Sequence, residues 1–125
     1  MSILVTGGMG FIGSHICVEL LNLNYNVIII DNLSNSNINT FDKIKKITNN
    51  DNITFYNIDL LDYDILFNIF KSNNIDTIIH CAGLKAVKES IDLPLKYYND
   101  NLNLATFSKL FCLLCFTSMC KYDVY

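Results

Sequence analysis

The sequence predicts a doubly wound α/β sheet of about four parallel strands in the order 3-2-1-4, and three observations carry that expectation. Short apolar runs alternate with stretches of helical periodicity along the chain. The second run, Val27 to Ile30, is apolar and β-branched throughout. A strand tolerates that only when both of its faces are covered, as in a parallel sheet. A glycine-rich turn, Thr6-Gly7-Gly8-Met9-Gly10-Phe11-Ile12-Gly13, joins the first apolar run to the first helical stretch. With 125 residues, 51% hydrophobic and 17% charged, the chain is long enough for one domain with its own core and too short for two.

Each element follows in order. Ile3-Leu4-Val5 reads as the first strand, and Ile12, Ile16, Leu20 and Leu23 recur at helical spacing on one face of the first helix. Asn22, Asn24 and Asn26 mark the turn into the second strand. Phe41, Ile44 and Ile47 make a short helix with Lys43, Lys45 and Lys46 on its wet side. Asn49-Asn50-Asp51-Asn52 is a turn, and Ile53 to Tyr56 the third strand. Asp62 is placed to cap a helix whose inner face is Leu66, Ile69 and Phe70. Ile75 to Ile79 is the fourth strand, and Asp92-Leu93-Pro94 opens a helix with Leu95, Tyr98, Leu102 and Ala105 on one face. Each crossover is long enough for right-handed parallel pairing.

Composition excludes several classes of function. Nine basic residues, all lysine, against twelve acidic ones give a net charge of −3, with no surplus for a nucleic-acid backbone. The five cysteines are odd in number and clustered late, unlike a secreted disulfide framework. Cys112 and Cys115, with Cys120 beyond, read as free thiols of an apolar helix, because zinc requires four ligands. Met1 to Val5 lacks the basic start of a signal peptide, and the apolar run Leu110 to Met119 falls short of the roughly 20 residues of a membrane span. A reduced, cytoplasmic protein with no membrane partner is the expectation.

The glycine turn carries the chemistry. Gly7, Gly10 and Gly13 are spaced three apart. Gly7 permits the tight turn out of the strand, Gly10 allows a pyrophosphate close to the backbone, and Gly13 lets the helix pack against the sheet. The helix N-terminus offers unpaired N–H groups and a partial positive charge to phosphates. Asp31, at the end of the second strand, is placed to accept both hydroxyls of an adenosine ribose and to repel a 2′-phosphate. No basic residue follows it before Lys43. The cofactor expected is therefore NAD and not NADP.

With these features joined to two longer stretches, the chain resembles the UDP-glucose 4-epimerase family of extended short-chain dehydrogenases/reductases. The first stretch is Leu4 through Gly8, Phe11 through His15, and Val27 to Asp31 with Asn32-Leu33-Ser34-Asn35-Ser36. The more specific one runs from Ile75 through His80-Cys81-Ala82-Gly83-Leu84-Lys85 to Ser90, and continues as Pro94-Leu95-Lys96-Tyr97-Tyr98. Sugar-nucleotide dehydratases share the glycine turn and differ between His80 and Ser90. The resemblance implies a Rossmann-type NAD-binding domain over residues 1–125. By position, Phe11 and Ile12 lie against the pyrophosphate, Asp31, Asn32, Leu33, Ser34, Asn35 and Ser36 hold the ribose, and Asp59 and Leu60 flank adenine. Cys81, Ala82, Gly83, Leu84 and Lys85 line the centre of the dinucleotide. The chain departs from the family at Ile58 and Lys88, where glycines are usual, and at Asp100, where an asparagine contacts the cofactor. The stretch from Leu104 to Cys120 fits poorly.

The resemblance also implies a reaction. A tyrosinate takes the sugar 4-hydroxyl proton while C4 gives hydride to NAD, and hydride returns to the other face of the 4-keto sugar. A lysine four residues after the tyrosine lowers its pKa. None of the seven tyrosines here has such a lysine: Tyr25, Tyr56, Tyr63, Tyr97 and Tyr98 are followed at that distance by Ile29, Leu60, Phe67, Asn101 and Leu102, and Tyr122 and Tyr125 stand too near the end. No catalytic residue is therefore assigned. The expectation is an NAD-binding portion of such an epimerase, truncated before its catalytic and sugar-nucleotide parts and inactive alone. The alternatives are a stand-alone NAD-binding regulatory module or part of another sugar-nucleotide-modifying member of the superfamily. A UDP-sugar partner belongs to the full-length family context. So does the common homodimer, which is not extended to this chain.

Overall fold

A computed structural model describes residues 1–84 and 86–102. Its elements are β1 (Ser2–Thr6), α1 (Phe11–Asn22), β2 (Asn26–Asp31), α2 (Asn39–Thr48), β3 (Ile53–Asn57), α3 (Tyr63–Ser72), β4 (Thr77–His80) and α4 (Val87–Asp92), and residues 94–102 are again helical. The four strands form one parallel sheet in the expected order β3-β2-β1-β4. Thr6 stands opposite Ile30 on one side and His80 on the other, and Asp31 opposite Asn57. All four strands thus point their C-terminal ends the same way, and the turns that follow them share one edge of the sheet. In an open α/β sheet, ligands bind at that edge.

The chain divides into a compact unit over Met1–Ala82 and a second that begins at Gly83. In the first, β2 is buried from Val27 to Asp31. Ile3, Val5, Val27 and Ile29 pack with Met9, Cys17, Leu21, Ile44 and Ile53 in one cluster. Leu4, Ile28 and Ile30, at the alternate positions, are buried as well. Side chains alternate across a strand, so both faces of the central strands are covered.

Two helices turn differently from their apolar spacing. In α1 the buried residues are Gly13, Cys17 and Leu21, while Ile12 and Leu23 of the expected face are exposed. The cause is Gly13. A Cβ there would overlap the Gly7 carbonyl oxygen and lie 2.8 Å from Gly8 Cα, so the glycine must face the turn and the stripe behind it follows at i+4 and i+8. In α2, Ile44 is buried and Phe41 packs against the core, but Ile47 is exposed. In α3 the expected Leu66 and Ile69 are buried and Phe70 half-buried. Asp62 does precede α3, but its side chain makes no capping bond; its backbone carbonyl accepts from Leu66 N–H at 3.0 Å. β4 begins at Thr77 and ends on His80, two residues and one residue later than expected.

In the second unit, α4 was not foreseen, and no residue of it is buried. Of the face expected on the following helix, Leu95 (77%), Tyr98 (67%) and Leu102 (46%) are exposed, and the buried residue is Tyr97. Ala105, like Lys85 and the three cysteines from Cys112 onward, lies outside the described residues. The Tyr97 hydroxyl donates to Glu89 Oε2 at 2.7 Å, and Lys96 Nζ stands 3.8 Å from Glu89 Oε1. Burial and the Glu89 carboxylate both push the Tyr97 hydroxyl above its ordinary range.

Candidate dinucleotide site

The turn between β1 and α1 is built from backbone. Gly7 has φ +67, and a Cβ on it would lie 2.7 Å from Ala82 N and 2.9 Å from the Cys81 carbonyl carbon. Glycine is required there twice over, by conformation and by the closeness of the chain leaving β4. The Gly7 N–H donates to Ile30 O at 2.8 Å, and Gly10 N–H to Gly7 O at 3.1 Å. Gly8, outside the three-residue spacing, is needed too, since its Cβ would meet Ile29 Cγ2 at 2.8 Å. Gly13 packs on the turn itself, against Gly7 and Gly8.

Gly10 differs from its neighbours. A Cβ there would meet one atom, the Gly7 oxygen at 3.3 Å, so the space beside it is open. It is the N-cap of α1, with no side-chain cap and no acidic residue in the first turn. The first intrahelical bond runs from Ser14 N–H to Gly10 O at 3.0 Å. The N–H groups of Phe11, Ile12 and Gly13 therefore have no acceptor within the helix. Phe11 and Ile12 are exposed beside this helix end. Open space, free donors and a positive dipole end fit a pyrophosphate.

Asp31 ends β2 with its side chain buried, and its carboxylate is already engaged. Oδ2 accepts from Met9 N–H at 3.0 Å, and Oδ1 from Leu33 N–H at 2.9 Å and from the Ser36 hydroxyl at 2.8 Å. Leu33 takes φ +57 to make that turn. Two oxygens offer about four acceptor positions, so three donors leave room for a ribose hydroxyl on the Oδ2 side. Asn32 Nδ2 donates to Asp59 Oδ2 at 2.9 Å, while Asp59 Oδ1 accepts from Leu61 N–H at 2.9 Å. The residues expected at ribose and adenine are thus tied together, with Leu60 buried beside Asp59 and Ser34 and Asn35 exposed on the loop. The site residues here fit a dinucleotide.

Cys81 and Ala82 continue from β4 beside Gly7, with Cys81 N–H donating to Thr6 O at 2.9 Å. Thr6, fully buried, also pairs its hydroxyl with His80 Nδ1 at 2.6 Å. Sequence reasoning passed over that pair, because Thr6 and His80 are 74 residues apart and only β1–β4 pairing joins them. Cys17 lies beneath the turn, and burial, with the Cys81 thiol adding to it, pushes its own thiol up to about 12. His15 is exposed; it bonds Phe11 O at 2.6 Å, and its ring lies tilted at 55° to the Phe11 ring with centroids 4.9 Å apart.

Gly83, Leu84 and Asp100 fall in the second unit. There Leu84 N–H donates to Asn101 Oδ1 at 3.0 Å and Leu84 O accepts from Asn101 Nδ2 at 3.3 Å. Asn101, not singled out from sequence, holds the Leu84 backbone with its amide, and Asp100 beside it is half-buried. Among the described residues no group of three or more His, Cys, Asp or Glu is arranged for a metal ion, and no helix is long and apolar enough to cross a membrane.

A family model described as GDP-mannose 4,6 dehydratase matches residues 4–111. The chain belongs to the GDP-mannose 4,6 dehydratase family. Within that family its similarity is to epimerases. It is 55% identical over 102 residues to UDP-glucose 4-epimerase of Bacillus subtilis, a match over 82% of this chain and 30% of that protein. It is 48% identical over 100 residues to the Dictyostelium discoideum enzyme of the same name, over 80% and 29% of the two chains. The structure of UDP-glucose 4-epimerase from Bifidobacterium longum in complex with NAD+ and UDP superposes with a TM-score of 0.88 at 38% identity, over 96% of this chain and 36% of that one. The chain spans about 30% of the length of these curated relatives.

Proposed function

We propose that this member of the GDP-mannose 4,6 dehydratase family is the NAD-binding portion of a UDP-glucose 4-epimerase, serving the interconversion of UDP-glucose and UDP-galactose. The observation that carries the proposal is the pairing of an open, uncapped helix end at Gly10 with a buried carboxylate at Asp31, bound to the same turn through Met9. One end suits a pyrophosphate, and the other a ribose hydroxyl. The 55% identity to an epimerase supports the substrate class. Bound NAD supplies a reversible hydride acceptor. The residues of this chain hold and orient it: Gly7, Gly10, Phe11, Ile12 and Gly13 at the pyrophosphate, Asp31 to Ser36 at the ribose, and Asp59 and Leu60 at the adenine. Cys81, Ala82, Gly83, Leu84, Lys85 and Asp100 are assigned to the rest of the dinucleotide.

Calorimetric titration with NAD and NADP tests the proposal. NAD binds and NADP binds at least tenfold more weakly, because the Asp31 carboxylate repels a 2′-phosphate; a tenfold ratio is about 1.4 kcal/mol. Equal affinities would remove the selectivity. The 125 residues hold no Tyr-x-x-x-Lys, and general-base help of that kind is worth about 10²–10⁴-fold. A coupled assay of this chain with UDP-galactose is therefore expected to stay at the blank. Turnover that Gly10→Val abolishes would show a different catalytic base.

A further inference from the structure

Asp31 does more in this chain than wait for a ribose. Its two oxygens each accept from a different backbone N–H: Oδ2 from Met9 in the glycine turn and Oδ1 from Leu33 in the following loop. Met9 and Asp31 are both buried, so the bond between the Met9 amide and the carboxylate is not readily replaced by water. Only a carboxylate offers acceptors on both sides. An asparagine has one acceptor oxygen, and in either orientation its NH2 faces one of the two backbone donors. The Gly7 N–H to Ile30 O bond, 2.8 Å, is a second tie between turn and β2, but it leaves Met9, next to the open Gly10, held by Asp31.

We infer that Asp31 is a positioning residue for the pyrophosphate turn, so that its negative charge is required by the turn's own backbone as well as by the ribose. The inference rests on the dinucleotide reading above and goes past it. Neutralising Asp31 loosens the phosphate cradle, and so does not convert the site to NADP.

The probe is 2′,3′-dideoxy-ADP, which carries adenine and diphosphate and has no ribose hydroxyl for Asp31 to accept. If Asp31 served the ribose alone, Asp31→Asn would leave the affinity for this probe unchanged, or raise it by removing a negative charge near the phosphates. The positioning role predicts instead that the probe binds about tenfold more weakly to Asp31→Asn, the loss of one charged hydrogen bond. In the ligand-free chain, the Met9 or Leu33 amide is expected to exchange with solvent at least tenfold faster in Asp31→Asn, with the Ile29 amide as the unchanged reference. Unchanged probe affinity together with unchanged exchange at both amides would overturn the inference. If the unaltered chain binds neither NAD nor the probe, the dinucleotide reading fails, and the exchange measurement still decides the role of Asp31. If Asp31→Asn fails to fold while Asp31→Glu, with two acceptor oxygens, folds, the inference stands; failure of both alike overturns it.

Discussion

The unit over Met1–Ala82 and the stretch from Gly83 to Leu102 are built on different terms. In the first, central strands are buried on both faces, and one carboxylate answers three donors. In the second, α4 buries nothing, and one tyrosine in the next helix is buried while its apolar neighbours face outward. Its described residues carry polar pairs, among them Tyr97 with Glu89 and Leu84 with Asn101. The difference teaches where single substitutions matter. Close packing makes Gly7 and Gly13 in the first unit intolerant of a methyl group, while the exposed apolar side chains of the second tolerate a change of volume.

Large effects are expected at the glycine turn. Gly13→Ala places a methyl against the Gly7 oxygen and Gly8 Cα, both backbone, which cannot swing aside. Gly7→Ala adds strain at φ +67. Each is expected to cost about 1–3 kcal/mol or more by urea unfolding. Gly10→Ala, with only a 3.3 Å neighbour, is expected to cost less than either while weakening NAD binding. Equal costs at all three positions would erase the distinction between packing glycines and the phosphate glycine.

Leu66→Ala, at a side chain 1% exposed, is expected to cost about 2–5 kcal/mol. The same change at Leu95, in the second unit and 77% exposed, is expected to stay within about 0.5 kcal/mol. The paired unfolding curves sharpen the comparison directly, and a large cost at Leu95 would break it.

Alkaline pH probes the first unit through Cys17. Cys17 has its thiol raised from 9.0 to about 12, so the folded state keeps a proton that the unfolded chain loses. The stability due to Cys17 is whole below pH 9.0 and falls as pH rises toward about 12, at about 1.4 kcal/mol per unit. Cys17→Ala is expected to flatten the stability–pH curve in that window relative to the unaltered chain. An unchanged slope would mean that the thiol is reached by water. The smallest effect is expected at Ile47→Gln: an exposed position in α2, within about 0.5 kcal/mol, despite its place in the apolar spacing of that helix.

The residues whose chemistry is local were legible without coordinates. The alternation of strands and helices, the glycine turn and Asp31 at the end of β2 all follow from spacing, because a strand, a turn and a helix start are each specified within a few residues. The rotation of α1 was not. Its apolar residues occupy two stripes, and the one ending in Leu23 has the commoner spacing; contact between Gly13 and the turn selected the other. Ile47 continues the spacing of Phe41 and Ile44, yet it is exposed.

What the sequence alone determined is the kind of site: glycines where backbone must come close, a carboxylate in register with them, and an apolar run that only an inner strand accepts. Tertiary structure decided how those residues are used. Pairing of β1 with β4 brought Thr6 to His80 and Gly7 to Ala82 across more than 70 residues of chain. Folding also placed the Met9 amide, 22 residues away in the chain, on Oδ2 of Asp31. Such bonds depend on which backbone groups end up facing a side chain in space, and no spacing along the chain encodes that.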